Sequence, residues 1–534
     1  MPDDDWVDRV KKSDDATQTL REALEKSLND ASLQDFNCDL KKLVKEEAHS
    51  HILGSTPLEL VPILLLSNDA ITANPQTLQE TYELIARHGS PKEVLIVVQE
   101  SLDGLLREAK ELENDEDTTY STPSQIVWKW LRLIDMYTFA LPRLLPRKRS
   151  APETATPLIQ HLRNSFTSLG QLVDPNEPVS RELVEACMRL GYALLRWFDT
   201  TNSKVDEIET CKTALQQLLC TAVAECLSDT HVLQEYNDFL HRLRTAGLAF
   251  TPVESTKPAP RMTIHTRSQS IGAFILYYLS NRGPVRPKGT RQALKKQLPG
   301  LLVALQRLKW RQTALGAIND CVLGLYDEEF LEDDVAAEII PVISIPASTD
   351  PDSKSRATLF NLLTRIILKF QPVHAFKFVR DLASEECPYL NMRSSAIGLL
   401  RRLVVRAFSQ NQPSNDDPFA SRLLLEEYKP ILLQSSILEE KDIEGSKSID
   451  TQEMNRLVEV LGFFYVLLAR DEVNLSGVRD AQTIQELKGK LIEPLKRLIP
   501  EMESSSDDPS LLFSVRSVSI SLERIEDIIS VLNS

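Results

Sequence analysis

The residue types best suited to chemistry gather in one stretch of the chain. Cysteine and histidine, which bind zinc and act as nucleophiles and bases, occur at Cys211, Cys220, Cys226, His231 and His241. A metal site needs side chains that converge on one point, whereas Cys220 and Cys226, six residues apart, point away from each other on a helix. Free cysteine is also among the most buried residue types. We therefore predict core packing for this cluster, with no metal and no cofactor.

Other signs of catalysis are scarce. His49 and His51 have no acid or cysteine at a ligand spacing, so we predict a surface loop there. The nucleophile-elbow, phosphate-loop, dinucleotide and zinc-protease motifs do not occur. Glycine, which phosphate cradles need, is only 17 of 534 residues. The sequence predicts that the protein is not an enzyme and has no catalytic residues; the alternative is an enzyme that uses Cys220 or Cys226.

The strongest charge feature is a stretch of 65 residues, Ser255 to Asn319, that contains no acid. Twelve lysines and arginines lie in it, although the whole chain has a net charge of −16. Its centre predicts an exposed loop followed by a helix, and basic groups there suit an acidic protein surface. The candidate partner-binding basic patch consists of Arg282, Arg286, Lys288, Arg291, Lys295 and Lys296.

The basic stretch has a second interpretation. An acidic run, Asp327 to Asp334, follows closely, and neighbouring helices of a repeat protein are in contact, so the charges can pair inside the fold. The sequence leaves both interpretations open. The overall negative charge predicts that the partner is a protein and that the chain does not bind nucleic acid directly.

Helix starts recur along the first third of the chain. Four pairs of serine or threonine with proline lie 34, 32 and 34 residues apart: Thr56-Pro57, Ser90-Pro91, Thr122-Pro123 and Thr156-Pro157. Each pair is typical of a capped helix with proline at its first position. Together with a hydrophobic period of 3.6 throughout, they predict an all-α fold, an α-α superhelix (a HEAT- or armadillo-like helical-repeat solenoid) of about twenty helices.

Composition also predicts a division of the chain. Pro252, Pro258 and Pro260 fall together just where the acid-free stretch begins. We predict an N-terminal helical-repeat half over residues 1–250, a proline-rich linker over 251–263, and a C-terminal helical-repeat half over 264–534.

The cellular compartment follows from the cysteines and the ends of the chain. Seven cysteines without a C-x-x-C pair favour a reducing compartment. The acidic start is unlike a targeting peptide, and the longest apolar runs are too short to span a bilayer. These features predict a protein of the cytoplasm, the nucleus or both, with no membrane partner.

One segment resembles a known family. In Leu84–Leu102 a helix leads through the corner Gly89-Ser-Pro-Lys-Glu93 into a long apolar helix, and an acidic loop follows. This arrangement is similar to that of the fungal YAP-binding proteins, which belong with glomulin and the plant lateral-root-formation protein to one family of helical-repeat proteins. The resemblance is clearest over about the first 170 residues.

The resemblance implies binding rather than catalysis. Fungal relatives attach to an AP-1-like transcription factor and support its oxidation in response to peroxide, and one is linked to kinetochores. Glomulin covers the RING subunit of cullin-RING ubiquitin ligases with its C-terminal repeats. The implied function is a scaffold that binds a stress-response transcription factor or its activating peroxidase; the alternatives are a glomulin-like inhibitor of cullin-RING ligases or a kinetochore-associated adaptor. No site residue of the family carries over.

Overall fold

The computed structural model describes residues 6–13, 15–45, 52–54, 56–114, 121–146, 148–201, 203–228, 264–281, 290–324, 330–331, 333–409, 417–435, 451–505 and 508–533. Over these ranges every regular element is a helix and no β-strand occurs, which confirms the all-α class. The chain divides into two compact units, unit 1 over Met1–Ala317 and unit 2 over Ile318–Ser534.

Unit 1 is built from helices that pack on near neighbours in chain order. The helices are α1 Trp6–Lys12, α2 Ala16–Asn29, α3 Leu33–Lys45, α4 Pro57–Leu66, α5 Asn68–Ala73, α6 Pro75–His88, α7 Pro91–Asn114, α8 Pro123–Ala140, α9 Ala151–Leu169, α10 Pro178–Thr200, α11 Val205–Cys226, α12 Ile264–Asn281 and α13 Thr290–Gln306, and α14 Arg311–Gly324 contains the boundary between the units. Helix α8 packs on α6, α7 and α10, and α11 packs on α9, α10 and α12. Such short-range packing is the α-α superhelical arrangement that the sequence predicts.

Unit 2 follows the same rule. Its helices are α15 Asp333–Thr349, α16 Ser353–Ile367, α17 Pro372–Ala383, α18 Leu390–Phe408, α19 Leu423–Leu433, α20 Thr451–Arg470, α21 Ala481–Leu487, α22 Glu493–Ser505 and α23 Pro509–Asn533. Helix α20 is central, because it packs on both α18 and α23. Its buried face carries Leu457, Leu461, Phe464 and Leu468, which recur every three or four residues.

Two of the capped helix starts have the full reciprocal geometry. At α8 the backbone N–H of Gln125 donates to Thr122 Oγ1 at 3.3 Å, and the N–H of Thr122 donates to Gln125 Oε1 at 2.9 Å. At α9 the same exchange joins Ser150 and Glu153, at 2.9 and 3.2 Å. Each box satisfies N–H groups that have no partner inside the helix.

Of the other three predicted helix starts, two are confirmed and one is wrong. Helices α4 and α7 begin at Pro57 and Pro91 as predicted, but Thr56 makes no capping hydrogen bond with its side chain. The start at Thr156 is wrong, because Thr156 and Pro157 lie inside α9. The helix begins six residues earlier, after Ser150. An acid, Glu153, stands three positions after Ser150, whereas none stands three positions after Thr156.

The predicted linker, 251–263, lies outside the described residues, so the division into halves stays a prediction. The helices that follow it, α12 and α13, belong to unit 1. Helix α12 approaches α11 so closely at Gly272 that a β-carbon there would overlap the backbone carbonyl of Cys220. Glycine is therefore required for this contact between helices.

Candidate functional site

The predicted basic patch falls mostly outside what the structure describes. Arg282, Arg286 and Lys288 precede α13 in a range that is not described, and of Arg291 and Lys296 only the helical backbone is described. Lys295 lies on α13 and is exposed. The patch therefore stays a prediction.

Other basic residues of the acid-free stretch do contact an acid within unit 1. Arg307 Nη1 donates to Glu225 Oε1 at 2.9 Å and to Oε2 at 3.1 Å. The Ser268 hydroxyl donates to the same carboxylate, and Lys309 Nζ donates to the backbone carbonyl of Glu225. Trp310 Nε1 donates to the carbonyl of Ala224 at 3.0 Å. We call this group the Glu225 junction.

The Glu225 junction joins three elements of the fold. Glu225 lies in the last turn of α11, Ser268 on α12, and Arg307 just after α13. Glu225 is 7% exposed, so its charge is taken from water and needs these donors. Burial lowers the pKa of Lys309, and the carboxylate of Glu225 opposes that change. The internal pairing of these basic residues is with Glu225, while the acidic run at 327–334 lies largely outside the described residues.

The cysteines are free and mostly buried. Cys187, Cys211, Cys220, Cys226 and Cys387 are buried, whereas Cys38 is exposed. Burial raises the pKa of Cys211 to about 11 and the pKa values of Cys220 and Cys226 to about 12. Since the thiolate is the reactive form, burial disfavours reaction of these thiols at neutral pH. The prediction of core packing is confirmed for the three cysteines of the cluster.

His49, His51, His231 and His241 lie outside the described residues. Among those that are described, no group of histidine, cysteine, aspartate and glutamate is arranged to hold a metal ion. Nor does any described helix combine the length and apolar character that a membrane span requires.

A rigid loop in unit 2 is the clearest surface feature. We call residues 471–480, which follow α20, the Asp471 loop. Asp471 is 1% exposed and its carboxylate accepts three hydrogen bonds: from the N–H of Leu475 and of Ser476, each at 2.8 Å, and from the Ser476 hydroxyl at 2.6 Å. Three charge-assisted hydrogen bonds within five residues fix the shape of this turn.

The second half of the loop is held by Asn474. Its backbone has a φ of 60°, a conformation that asparagine tolerates better than most residues. The side-chain oxygen accepts from the N–H of Arg479 at 2.8 Å, and the side-chain nitrogen donates to Asp480 Oδ1 at 2.7 Å. Arg479 in turn donates to the carbonyl of Leu468 at 2.8 Å, which ties the loop to the end of α20.

The loop presents an apolar side chain to solvent. Val473 is 79% exposed, although both neighbouring halves of the loop are fixed by hydrogen bonds. Beside it lies a groove of about 640 Å³ between α18, α20 and the loop, which we call the α18–α20 groove. Its apolar and aromatic lining consists of Val405, Phe408, Tyr465, Val466, Ala469, Val473 and Leu475. An exposed apolar surface on a rigid frame is typical of a protein-binding site.

This surface is not among the sites predicted from the sequence. Asn474 and Gly477 are turn-forming residues, and Asp471 stands within reach of Ser476, so the sequence does carry a signal for a turn. Nothing in the sequence indicates that Val473 is exposed. The residues around it, Glu-Val-Asn-Leu, show no hydrophobic period that would assign the valine to a buried or an exposed face.

Comparison with known protein families gives a match over part of the chain. Residues 295–529 match the family described as an uncharacterised protein family, YAP/Alf4/glomulin. The Asp471 loop and the α18–α20 groove lie within the matched residues. The segment Leu84–Leu102, which carries the resemblance in the sequence, lies outside them, so a different part of the chain supports the family. No curated protein sequence matches the chain.

A solved structure from work on a conserved phosphorylation switch that controls the interaction between cadherin and beta-catenin is also similar. It is 13% identical, covers 98% of this chain and 99% of its own, and has a TM-score of 0.24. At that score the two chains do not superpose as one arrangement, and the fold class rests on the helices described above. Over residues 295–529, by contrast, the chain is similar to the YAP/Alf4/glomulin family.

Proposed function

We propose that the protein is a non-catalytic adaptor that binds a stress-response, AP-1-like transcription factor and supports its activation in the oxidative stress response. The observation that carries the proposal is the family match over residues 295–529, which supports a protein-binding role. The partner named here comes from the YAP branch of that family.

The Asp471 loop and the α18–α20 groove are the surface that we assign to the partner. Hydrogen bonds hold the loop in one shape before binding, so little conformational entropy is lost when a partner docks. Val473 and Tyr465 then offer apolar and aromatic contact area of the kind that dominates binding energy at protein interfaces.

Activation by holding partners together fits the state of the thiols. A direct thiol exchange needs an accessible thiolate, whereas burial raises the pKa values of Cys220 and Cys226 to about 12. We therefore propose that the adaptor brings the transcription factor and an activating peroxidase together, and that Cys220 and Cys226 take no part in the electron transfer. Its place of action would be the cytoplasm and the nucleus.

A second candidate partner is the RING subunit of a cullin-RING ubiquitin ligase. The family description includes glomulin, and the matched residues lie in the C-terminal part of the chain, the part through which glomulin-type binding is expected. In that case, a surface of the RING subunit would bind in the same α18–α20 groove.

Co-precipitation of the tagged chain from cells with and without peroxide separates the two partners. The proposal predicts recovery of an AP-1-like transcription factor, increased by peroxide. Recovery of cullin and RING subunits instead, independent of peroxide, favours the second candidate. Recovery of neither contradicts both.

A further inference from the structure

Unit 1 contains a second groove, distant in sequence from the surface assigned above. It has a volume of about 460 Å³, lies between α4 and α7, and includes the first turns of α8. Leu65, Leu66, Val97 and Leu105 give it an apolar lining, and Leu66 is 82% exposed. At Gly104 a β-carbon would find no atom within 4 Å, so the groove is open there. We call it the α4–α7 groove.

A buried ammonium group marks this groove as more than an apolar cleft. Lys129 lines it and is only 3% exposed. Its Nζ donates to Ser121 Oγ at 2.8 Å, and among the described residues no carboxylate forms an ion pair with it. An ammonium group can donate three hydrogen bonds, so one neutral hydroxyl leaves much of its lost hydration unreplaced.

The electrostatic surroundings define what would complete the site. Burial lowers the pKa of Lys129, and the more distant carboxylate of Glu108 only partly opposes this. Glu100 and Glu108 line the same groove, so its lining is acidic apart from Lys129, and the repulsion of an incoming anion is greater for a doubly charged phosphate than for a single carboxylate. A single carboxylate beside an apolar side chain matches both the ammonium and the apolar lining.

We propose that the α4–α7 groove binds a segment of a partner protein that inserts a leucine-like side chain between the two helices and places a carboxylate on Lys129. The site is separate from the α18–α20 groove and does not depend on the function proposed for that surface.

Gly104 lines the groove and is a position at which a larger side chain would enter it. The β-carbon of Gly104→Leu would meet no atom within 4 Å, and the change replaces a glycine inside a helix, which by itself favours stability. Arg107→Leu is the matched control, since it adds the same side chain to an exposed position on α7 that does not line the groove. Unfolding followed by tryptophan fluorescence shows that each variant is folded. If Gly104→Leu does not fold, Leu66→Asp replaces it.

The test uses a displayed library of random 12-residue peptides, selected on the full chain and counter-selected on Gly104→Leu. We expect enriched peptides in which leucine, isoleucine, methionine or phenylalanine stands close to aspartate or glutamate. Arg107→Leu should bind them as the wild type does, and so should Val473→Asp, which alters only unit 2. Enrichment of no sequence, or of sequences that bind Gly104→Leu equally well, overturns the proposal.

The carboxylate is tested with a pair of synthetic peptides. The best peptide is compared with its amide analogue, in which asparagine or glutamine replaces the acid, on the wild type and on Lys129→Met. We expect the wild type to prefer the acid at least tenfold and Lys129→Met to lose that preference. Equal binding of the acid and the amide to the wild type overturns the proposal, and so does an unchanged preference in Lys129→Met. Association of the chain with a second copy that Gly104→Leu abolishes also overturns it.

Discussion

Two buried carboxylates, one in each unit, organise very different structures. Glu225 in unit 1 accepts hydrogen bonds from Ser268 and Arg307, which lie 43 and 82 residues away along the chain. Asp471 in unit 2 accepts its hydrogen bonds from Leu475 and Ser476, four and five residues away. Long-range donors fix how helices pack, whereas local donors fix the shape of one loop. Stability and binding are therefore expected to respond to different residues.

The largest loss of stability is expected at the helix contact next to the Glu225 junction. Gly272→Ala would place a methyl group against the backbone of Cys220, and backbone atoms cannot move aside as a flexible side chain can. We expect unit 1 to lose about 3 kcal/mol of unfolding free energy or more. Urea denaturation followed by tryptophan fluorescence measures this, because all five tryptophans lie within residues 1–317. Gly104→Ala is the control and should keep or slightly raise stability; equal stability of Gly272→Ala and wild type would rule out the close approach.

A smaller loss is expected from the junction itself. Glu225→Ala leaves Arg307 and Ser268 without their acceptor, at a cost of about 2–3 kcal/mol for a buried pair with one partly exposed member. Iodoacetamide at pH 8 should also modify Cys226 faster in the variant, because opening the junction exposes this thiol. Glu209→Ala, which removes an exposed pair with Lys212 on the same helix, should change stability by less than about 0.5 kcal/mol. If both variants behave alike, the junction does not hold these helices together.

The Asp471 loop should show a local effect. Asp471→Ala removes the acceptor of two backbone N–H groups, at a cost of about 1–2 kcal/mol to unit 2. Hydrogen–deuterium exchange should accelerate at Leu475 and Ser476, while the tryptophan transition of unit 1 stays unchanged. Glu472→Ala, at the exposed neighbouring position, is the control. Unchanged exchange in Asp471→Ala would show that the loop does not depend on this carboxylate.

The sequence predicts the helices well and the surfaces poorly, for physical reasons. Capping is local, so Ser90 and Thr122 indicate helix starts, whereas Thr156, which has no acid or amide three residues later, lies inside a helix that begins after Ser150. The partner of Arg307 is 82 residues away on another helix, and no local pattern indicates it.

The same limit applies to the binding surfaces. From the sequence alone, Lys129 would be assigned to the exposed face of an amphipathic helix, whereas packing buries it. Whether Val473 is buried or exposed depends on the hydrogen bonds of the Asp471 loop, and those follow from turn geometry that composition indicates only in outline.

The smallest effect on stability should accompany the largest effect on binding. Val473→Asp changes a side chain that is 79% exposed, so we expect less than about 0.5 kcal/mol of change in unfolding free energy. Val205→Asp is the matched control, since Val205 is 72% exposed at the start of α11 in unit 1.

The measurement that tests the central claim is the dissociation constant for the purified partner, the AP-1-like transcription factor or the RING subunit, with wild type, Val473→Asp and Val205→Asp. The account predicts that Val473→Asp weakens binding at least tenfold, or about 1.4 kcal/mol, while Val205→Asp stays within about twofold of the wild type. Wild-type affinity in Val473→Asp, or an equal loss in both variants, would contradict the assignment of the partner to the Asp471 loop and the α18–α20 groove.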